Sequence, residues 1–350
     1  MKNNCIIIGS RGSKLALAQA ELVKNNLKNN YSFLTIEVKV IKTTGDKILD
    51  VPLAKIGDKG LFTKELEEAL LRSEIDLAVH SMKDLPTDIP KALEIGAITA
   101  REEACDVLVS RESFTIKALP NNVKVGTSSL RRRAQLLSLR PDIQALDLRG
   151  NLDTRLAKLD SGLYGAIILA YAGIKRLGLN PVRDNLSTLY IDTKLILGSD
   201  SVSEGLSVID GRLRRPISNG VNLSMTRISF DEMLPQAGQG ALGIETRKGD
   251  FDVLNLIKTL DDSDSRLCIE AERALLSGLG GGCQVPIGVY AKIEGGDVNI
   301  KAGVFSLDGK TVIKDEIRGK KNEAVVLGKQ LADLLLKKGA KNILEEVYHA

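Results

Sequence analysis

Apolar residues first appear as a short unbroken run, Ile6-Ile7-Ile8, closed by Gly9. Such a run is too short for a helix and reads as a strand buried on both faces. Behind it the spacing changes. Leu15, Ala18, Leu22 and Val23 recur at helical intervals, and Ser13 stands where a side-chain oxygen caps the first turn. The alternation continues with a strand over Ile36 to Lys42, a helix over Thr63 to Arg72 and a strand over Ile75 to His80. Strands and helices taken in turn predict α/β architecture. Gly57-Asp58-Lys59-Gly60 reads as a mobile loop between them.

A second set follows: strand Val123-Lys124-Val125, a helix from Leu130, strand Ile143 to Asp147, a helix from Leu152 and strand Ala166 to Ala170. Runs of this kind predict parallel strands with right-handed crossovers. Ligands in such sheets bind beyond the carboxyl ends of the strands. From Arg266 to Leu279 an amphipathic helix appears. After it the pattern becomes strands near Ile287 to Ile293, Val298 to Phe305 and Thr311 to Ile317, then helices. Leu307-Asp308-Gly309-Lys310 is a hairpin signal. A small α+β unit is therefore expected after about residue 262.

Composition narrows the function more than the fold. A chain of 350 residues holds two or three domains. Lys plus Arg is 49 against Asp plus Glu at 45, with no basic tail, so bulk charge points to no partner. The N-terminal apolar run reaches Gly9 too soon for a signal-peptide core, and no run approaches membrane-spanning length. A cytoplasmic protein without membrane association is expected. Cys5, Cys105, Cys268 and Cys283 show no CxxC spacing, and His80 and His349 are the only histidines. Neither a disulfide framework, a metal site nor a histidine-centred triad is indicated. Chemistry falls to Asp, Lys, Arg and Cys.

Those residues gather where strands end. Gly126-Thr127-Ser128-Ser129-Leu130-Arg131-Arg132-Arg133 puts hydroxyls and free N–H groups at a helix N-terminus, with cations in its first turn. Arginine there opposes the helix dipole unless an anion neutralises both. Arg149-Gly150-Asn151 with Arg155 follows the next strand, and Lys175-Arg176 follows the third. Three basic strand ends suggest one polyanionic ligand; solvated surface charge or an arginine–carboxylate lattice is the alternative. Nucleotide fingerprints are missing, whereas bidentate arginines suit carboxylates. With aromatics at 3% no stacking platform interleaves with the basic residues, so no nucleic-acid partner is expected.

Two further stretches bear on reactivity. His80-Ser81-Met82-Lys83-Asp84-Leu85-Pro86 follows a strand directly. A carboxylate there can offset a cation developing on a substrate: at about 4 Å and an effective dielectric of about 20 the attraction is roughly 4 kcal/mol. Alternatively, Asp84 is an ion pair with Lys83 or a loop cap. In Gly280-Gly281-Gly282-Cys283-Gln284-Val285-Pro286, three glycines let the backbone bend and approach a bulky group, which presents the thiol. Three classes fit these stretches: a catalyst built on Asp84, a two-domain clamshell that binds a small anion without reacting, or a cysteine-nucleophile transferase. The clamshell has no use for Cys283. The last would need a base, and His80 is the sole candidate.

Taken together, the segments resemble the porphobilinogen deaminase family. The matching stretches are Ser10 to Leu17, Lys59-Gly60-Leu61-Phe62, His80 to Pro86, Gly126 to Arg132, Leu148 to Asn151 with Thr154-Arg155, Gly238-Gln239-Gly240-Ala241, and Gly281 to Pro286. The resemblance implies two periplasmic-binding-protein-like α/β domains and a small α+β C-terminal domain carrying the cofactor cysteine. It implies a transferase that joins four porphobilinogen molecules head to tail with loss of ammonia, then releases hydroxymethylbilane by hydrolysis. Its dipyrromethane cofactor would be held by a thioether to Cys283. Asp84 would be catalytic, and Lys83, Thr127, Ser128, Ser129, Arg131, Arg132, Arg155 and Gly173 would hold the cofactor. Arg11, Ser13, Phe62, Arg149, Arg155, Arg176 and Gln239 would bind substrate pyrroles, with Phe62 on a closing loop. A monomer is implied.

The expected divisions are residues 1–100 with about 237–260, residues 101–236, and residues 262–350. Between about 181 and 228 the chain has roughly 40 residues more than the compact family pattern needs. This stretch, with Ser199-Asp200-Ser201-Val202-Ser203-Glu204-Gly205, reads as a surface insertion or partly disordered loop, or else as a lid or oligomer contact.

Overall fold

The computed structural model describes residues 4–47, 60–179, 182–183, 188–192, 207–209, 212–214, 222–281 and 285–349. They fall into two compact units. One holds Met1–Ala104, Leu234–Val304 and Ile313–Ala350; the other holds Cys105–Met233 and Phe305–Val312.

In the first unit, strand β1 (Cys5–Ser10) pairs in parallel with β2 (Thr35–Val40) on one side and β3 (Leu77–Ser81) on the other. The isoleucine run works as expected of a strand buried twice. Ile6 and Ile8 pack with Val23 and Leu27 of helix α1 (Lys14–Asn30), while Ile7 turns to Leu66 and Leu70 of α2 (Lys64–Leu71). Each fully buried Leu, Ile or Val contributes about 1.5 to 3 kcal/mol. Ser13 caps α1, its hydroxyl accepting from Ala16 N at 3.2 Å. Two strands absent from the sequence reading complete the sheet. β14 (Leu242–Arg247) lies antiparallel between β3 and β4 (Leu93–Ile98), giving the order β2-β1-β3-β14-β4.

The same unit holds a three-stranded sheet, β15 (Ile287–Glu294), β16 (Asp297–Phe305) and β17 (Val312–Lys320). Helices α7 (Ser263–Gly278) and α8 (Ala324–Leu335) share a core with it through Leu275, Leu331, Leu335, Val289, Ile300 and Val304. The hairpin turn expected at Leu307 to Lys310 is present and falls, like Leu137, in the second unit, with Gly309 at φ 74°. A side chain at Gly309 would place its Cβ 2.7 Å from the Leu137 carbonyl carbon, so glycine is needed for that contact as well as for the turn.

In the second unit, β6 (Lys124–Gly126), β7 (Gln144–Leu146) and β8 (Ala166–Ala170) are parallel and alternate with helices α3 (Leu130–Leu139), α4 (Leu152–Asp160) and α5 (Tyr171–Arg176). β5 (Asp106–Ser110), buried throughout, lies antiparallel beside β8, and β13 (Asn222–Arg227) lies antiparallel beside β5. With β9 (Val182–Arg183) and β10 (Thr188–Asp192) the order is β7-β6-β8-β5-β13-β10-β9. β11 (Ser207–Ile209) and β12 (Arg212–Arg214) form a separate pair. The five-stranded sheet and the first five strands of the seven-stranded one thus share one plan: three parallel strands in the order second, first, third, then two strands that each reverse direction.

This corrects the reading of the 181–228 stretch. It is not only a surface insertion, because Leu223 and Met225 of β13 are fully buried in the sheet core. The Ser199 to Gly205 segment lies outside the described residues.

Candidate functional site

The carboxyl ends of β6, β7 and β8 point to one edge of the second sheet, as parallel pairing requires. After β6, Thr127 is buried, and its backbone N–H donates to Leu146 O at 2.8 Å. Ser128 ties this turn to the next strand end: its hydroxyl donates to Leu148 O at 2.9 Å and accepts from Leu148 N at 3.0 Å. Ser129 is the N-cap of α3, accepting from Arg132 N.

Arg131 and Arg132, read as needing a ligand, find an anion within the unit. Asp106, the first residue of β5, is wholly buried, with Arg131 Nη1 at 2.8 Å and Arg132 Nη2 at 2.7 Å from its two oxygens. Arg132 Nη1 also donates to Ile168 O at 3.1 Å. Burial alone would push the Asp106 carboxyl up, but the two guanidiniums and their hydrogen bonds outweigh it and hold the group well below the usual carboxylate range. A carboxylate of the protein itself thus offsets the cations at this helix N-terminus, in part as the arginine–carboxylate lattice expected as the alternative. Two guanidiniums thus share this one buried carboxylate.

After β7, Arg149 is half-buried, its carbonyl accepting from Lys158 Nζ at 3.1 Å, and Arg155 Nε donates to Gly150 O at 2.9 Å. After β8, Gly173 and Arg176 lie on the short helix α5. One residue at this edge escaped the sequence reading. Arg227 ends β13, which runs in the direction of β8, and its guanidinium lies 4.8 Å from the Tyr171 ring centre. The expectation of an insertion hid it.

In the first unit, β1 and β3 end on the same side of their sheet. Beyond β1 come Arg11 and the cap Ser13, and the Arg11 guanidinium lies 4.1 Å above the Phe62 ring. Lys59, quoted beside Phe62 in the motif, lies outside the described residues. Beyond β3 the chain turns at Ser81 to Asp84, with Asp84 N donating to Ser81 O at 2.9 Å. The Asp84 side chain is exposed and has neither a hydrogen bond nor an ion pair among the described residues.

The turn is held from below. Met82 N donates to Ala241 O, Gln236 Nε2 donates to Lys83 O at 2.9 Å, and Gly238, at φ 78°, lies so close that a Cβ would sit 2.8 Å from the Met82 carbonyl carbon. Gln239 is buried, donating through Nε2 to Ala104 O at 2.7 Å, which fixes this supporting loop. His80 is buried too, 3.0 Å from Glu245 of β14.

Cys283, with Gly282 and Gln284, lies outside the described residues. Helix α7, which leads towards it, contains a pair that sequence reasoning passed over. Glu272 is fully buried, 2.6 Å from Arg101 Nη1, and accepts from Gly238 N and Ala291 N, each at 2.8 Å. Next to it, Arg273 donates to the carbonyls of Leu85, Pro86 and Thr87. In a helix reading Ala-Glu-Arg-Ala, adjacent opposite charges look like a solvated face; only the burial of Glu272 and the carbonyl contacts of Arg273 betray them. On the same helix, burial first and then the Glu272 charge push the Cys268 thiol up to about 11, which leaves it unreactive near neutral pH.

Two family models match the chain. Porphobilinogen deaminase, dipyromethane cofactor binding domain, covers residues 6–255, and Porphobilinogen deaminase, C-terminal domain, covers residues 266–337. Relatives named porphobilinogen deaminase include that of Chloroherpeton thalassium, 46% identical over 98% of this chain and 97% of its own length. Those of Chlorobaculum tepidum and Desulforudis audaxviator are 45% and 44% identical, with the same coverage of both chains. Among solved structures, YhfZ from Shigella flexneri aligns with 79% of this chain and 96% of its own at 14% identity, with a TM-score of 0.33, a likeness too slight to argue from.

Proposed function

Because the chain belongs to the porphobilinogen deaminase family, it is a transferase of tetrapyrrole biosynthesis with a dipyrromethane-binding domain, and we propose that Asp84 is its catalytic carboxylate. The reaction joins four porphobilinogen molecules head to tail, with ammonia leaving at each step, and ends in hydrolytic release of hydroxymethylbilane.

Asp84 supports this reading most directly. Its carboxylate is exposed and unengaged within the described residues, on a turn braced by the Gln236 to Ala241 loop. A carboxylate held in place without a partner can offset the cation that develops on substrate as ammonia departs. A preorganised charge of this kind needs no rearrangement at the moment of reaction.

The residues of the second unit fit a dipyrromethane. Its acetate and propionate groups require cationic donors, and around Asp106 two buried guanidiniums share one carboxylate, with Arg132 Nε lacking an acceptor among the described residues. Charge-assisted hydrogen bonds to such groups contribute about 1.5 to 3 kcal/mol each. We assign Lys83, Thr127, Ser128, Ser129, Arg131, Arg132, Arg155 and Gly173 to holding the group and Cys283 to its thioether. When bound, it supplies the free pyrrole carbon that accepts the next ring.

Arg11, Ser13, Phe62, Arg149, Arg155 and Arg176 would bind incoming or growing pyrroles. Gln239 would act through the loop that its amide fixes. We keep the three-part division at about residues 100, 236 and 262 as the functional domains, and a cytoplasmic monomer as the working form. Freshly purified protein should exceed its sequence mass by one dipyrromethane unit, and the excess should vanish in Cys283→Ser. A fully active protein of unmodified mass would sink the cofactor assignment. Binding of porphobilinogen without ammonia release would favour the clamshell instead.

A further inference from the structure

We propose that Arg273 is a positioning residue for Asp84, linking the helix that leads to the cysteine loop with the turn that carries the carboxylate. The inference rests on the catalytic reading of Asp84 and adds a residue to it. Arg273 Nη1 donates to Leu85 O at 3.0 Å, and Nη2 donates to Pro86 O at 2.5 Å and Thr87 O at 3.1 Å. These carbonyls directly follow Asp84. They belong to neither a helix nor a strand, and Pro86 has no N–H with which to build one, so they require an outside donor. A planar guanidinium satisfies three oxygens at fixed angles; an ammonium on a flexible stem does not hold them in one geometry.

The neighbouring residue grips the other side of the same turn. Glu272 accepts from Gly238 N, and Gly238 packs against the Met82 and Lys83 backbone. Consecutive residues of α7 therefore brace Asp84 before and after it in sequence. α7 is itself fixed by a core running through Ala271, Leu275 and Leu276, and its last residue, Gly278, lies five positions before Cys283. Asp84 and the start of the cysteine loop thereby take their positions from one helix.

Loss of this brace leaves the carboxylate in place chemically but free to wander, and a displacement of about 1 Å costs on the order of a hundredfold in rate. The test is a double-mutant cycle in cofactor-loaded enzyme, with porphobilinogen as substrate. Arg273→Gln should lower kcat by about 10- to 100-fold, with KM within twofold and the dipyrromethane mass retained. Combined with Asp84→Ala it should cost no more than Asp84→Ala alone, because it acts through that carboxylate.

Additive losses in the double variant would overturn the proposal, as would a rise in KM with kcat unchanged. Should Arg273→Gln fail to fold, Arg273→Lys, which keeps the charge but not the fork, should show the same kcat loss in milder form; full activity there overturns the proposal equally. A nearly active Asp84→Ala enzyme would instead remove the catalytic reading, whatever Arg273 does.

Discussion

Asp84 and Asp106 stand at corresponding edges of two sheets laid out on one plan, Asp84 beyond the third parallel strand of its sheet and Asp106 at the start of the strand that reverses direction in the other. Asp106 is wholly buried and shared by two guanidiniums; Asp84 is exposed and has no partner among the described residues. The backbone around Asp84 belongs to a turn and not to a sheet, yet it is braced by Gly238, Gln236 and Arg273. A structural carboxylate has its charge satisfied. On the proposed reading, the catalytic one has its backbone held while its charge is left available.

Substitutions should separate these roles. The largest effect is expected from Asp84→Ala, which should lower kcat about a thousandfold, the equivalent of roughly 4 kcal/mol, with porphobilinogen binding and thermal midpoint near those of the parent. Near-normal turnover would erase the comparison. Asp106→Ala should act on stability, costing about 3 to 5 kcal/mol in urea unfolding because two guanidiniums are left buried without their anion. A stable variant defective only in kcat would place Asp106 in the chemistry.

The pH dependence is the finest of these tests. The Asp106 carboxyl is held below its unfolded value, so its contribution is complete above about pH 4 and is lost as pH falls from there through the lower folded value. Unfolding free energy measured from pH 5 downwards should therefore decline more steeply in the parent than in Asp106→Asn. Equal slopes would mean that the pair is not linked to folding.

Much of the architecture was legible because it is local. The strand at Ala166 to Ala170 and the helices from Leu130 and Leu152 follow directly from periodicity, since each βα step packs on its immediate neighbour. β4, β5, β13 and β14 were not foreseen. Their partners lie far along the chain, and β14 carries a buried Glu245 that spoils a simple apolar pattern. The site divides in the same way. Motif residues such as Arg11, Asp84 and Arg149 were visible as types at strand ends, whereas Asp106, Glu272 and Arg273 matter through burial and contact, which a linear pattern does not report.

The insertion of β14 between β3 and β4 has a consequence for how the protein is made. Buried His80 meets Glu245 across 165 residues of chain. At about 5 to 20 residues per second of synthesis, the first sheet waits on the order of ten to thirty seconds between the emergence of β3 and that of its neighbour. During that interval β3 and β4 present unpaired edges, so the nascent chain is most vulnerable to mispairing before the strand that bears Glu245 leaves the ribosome.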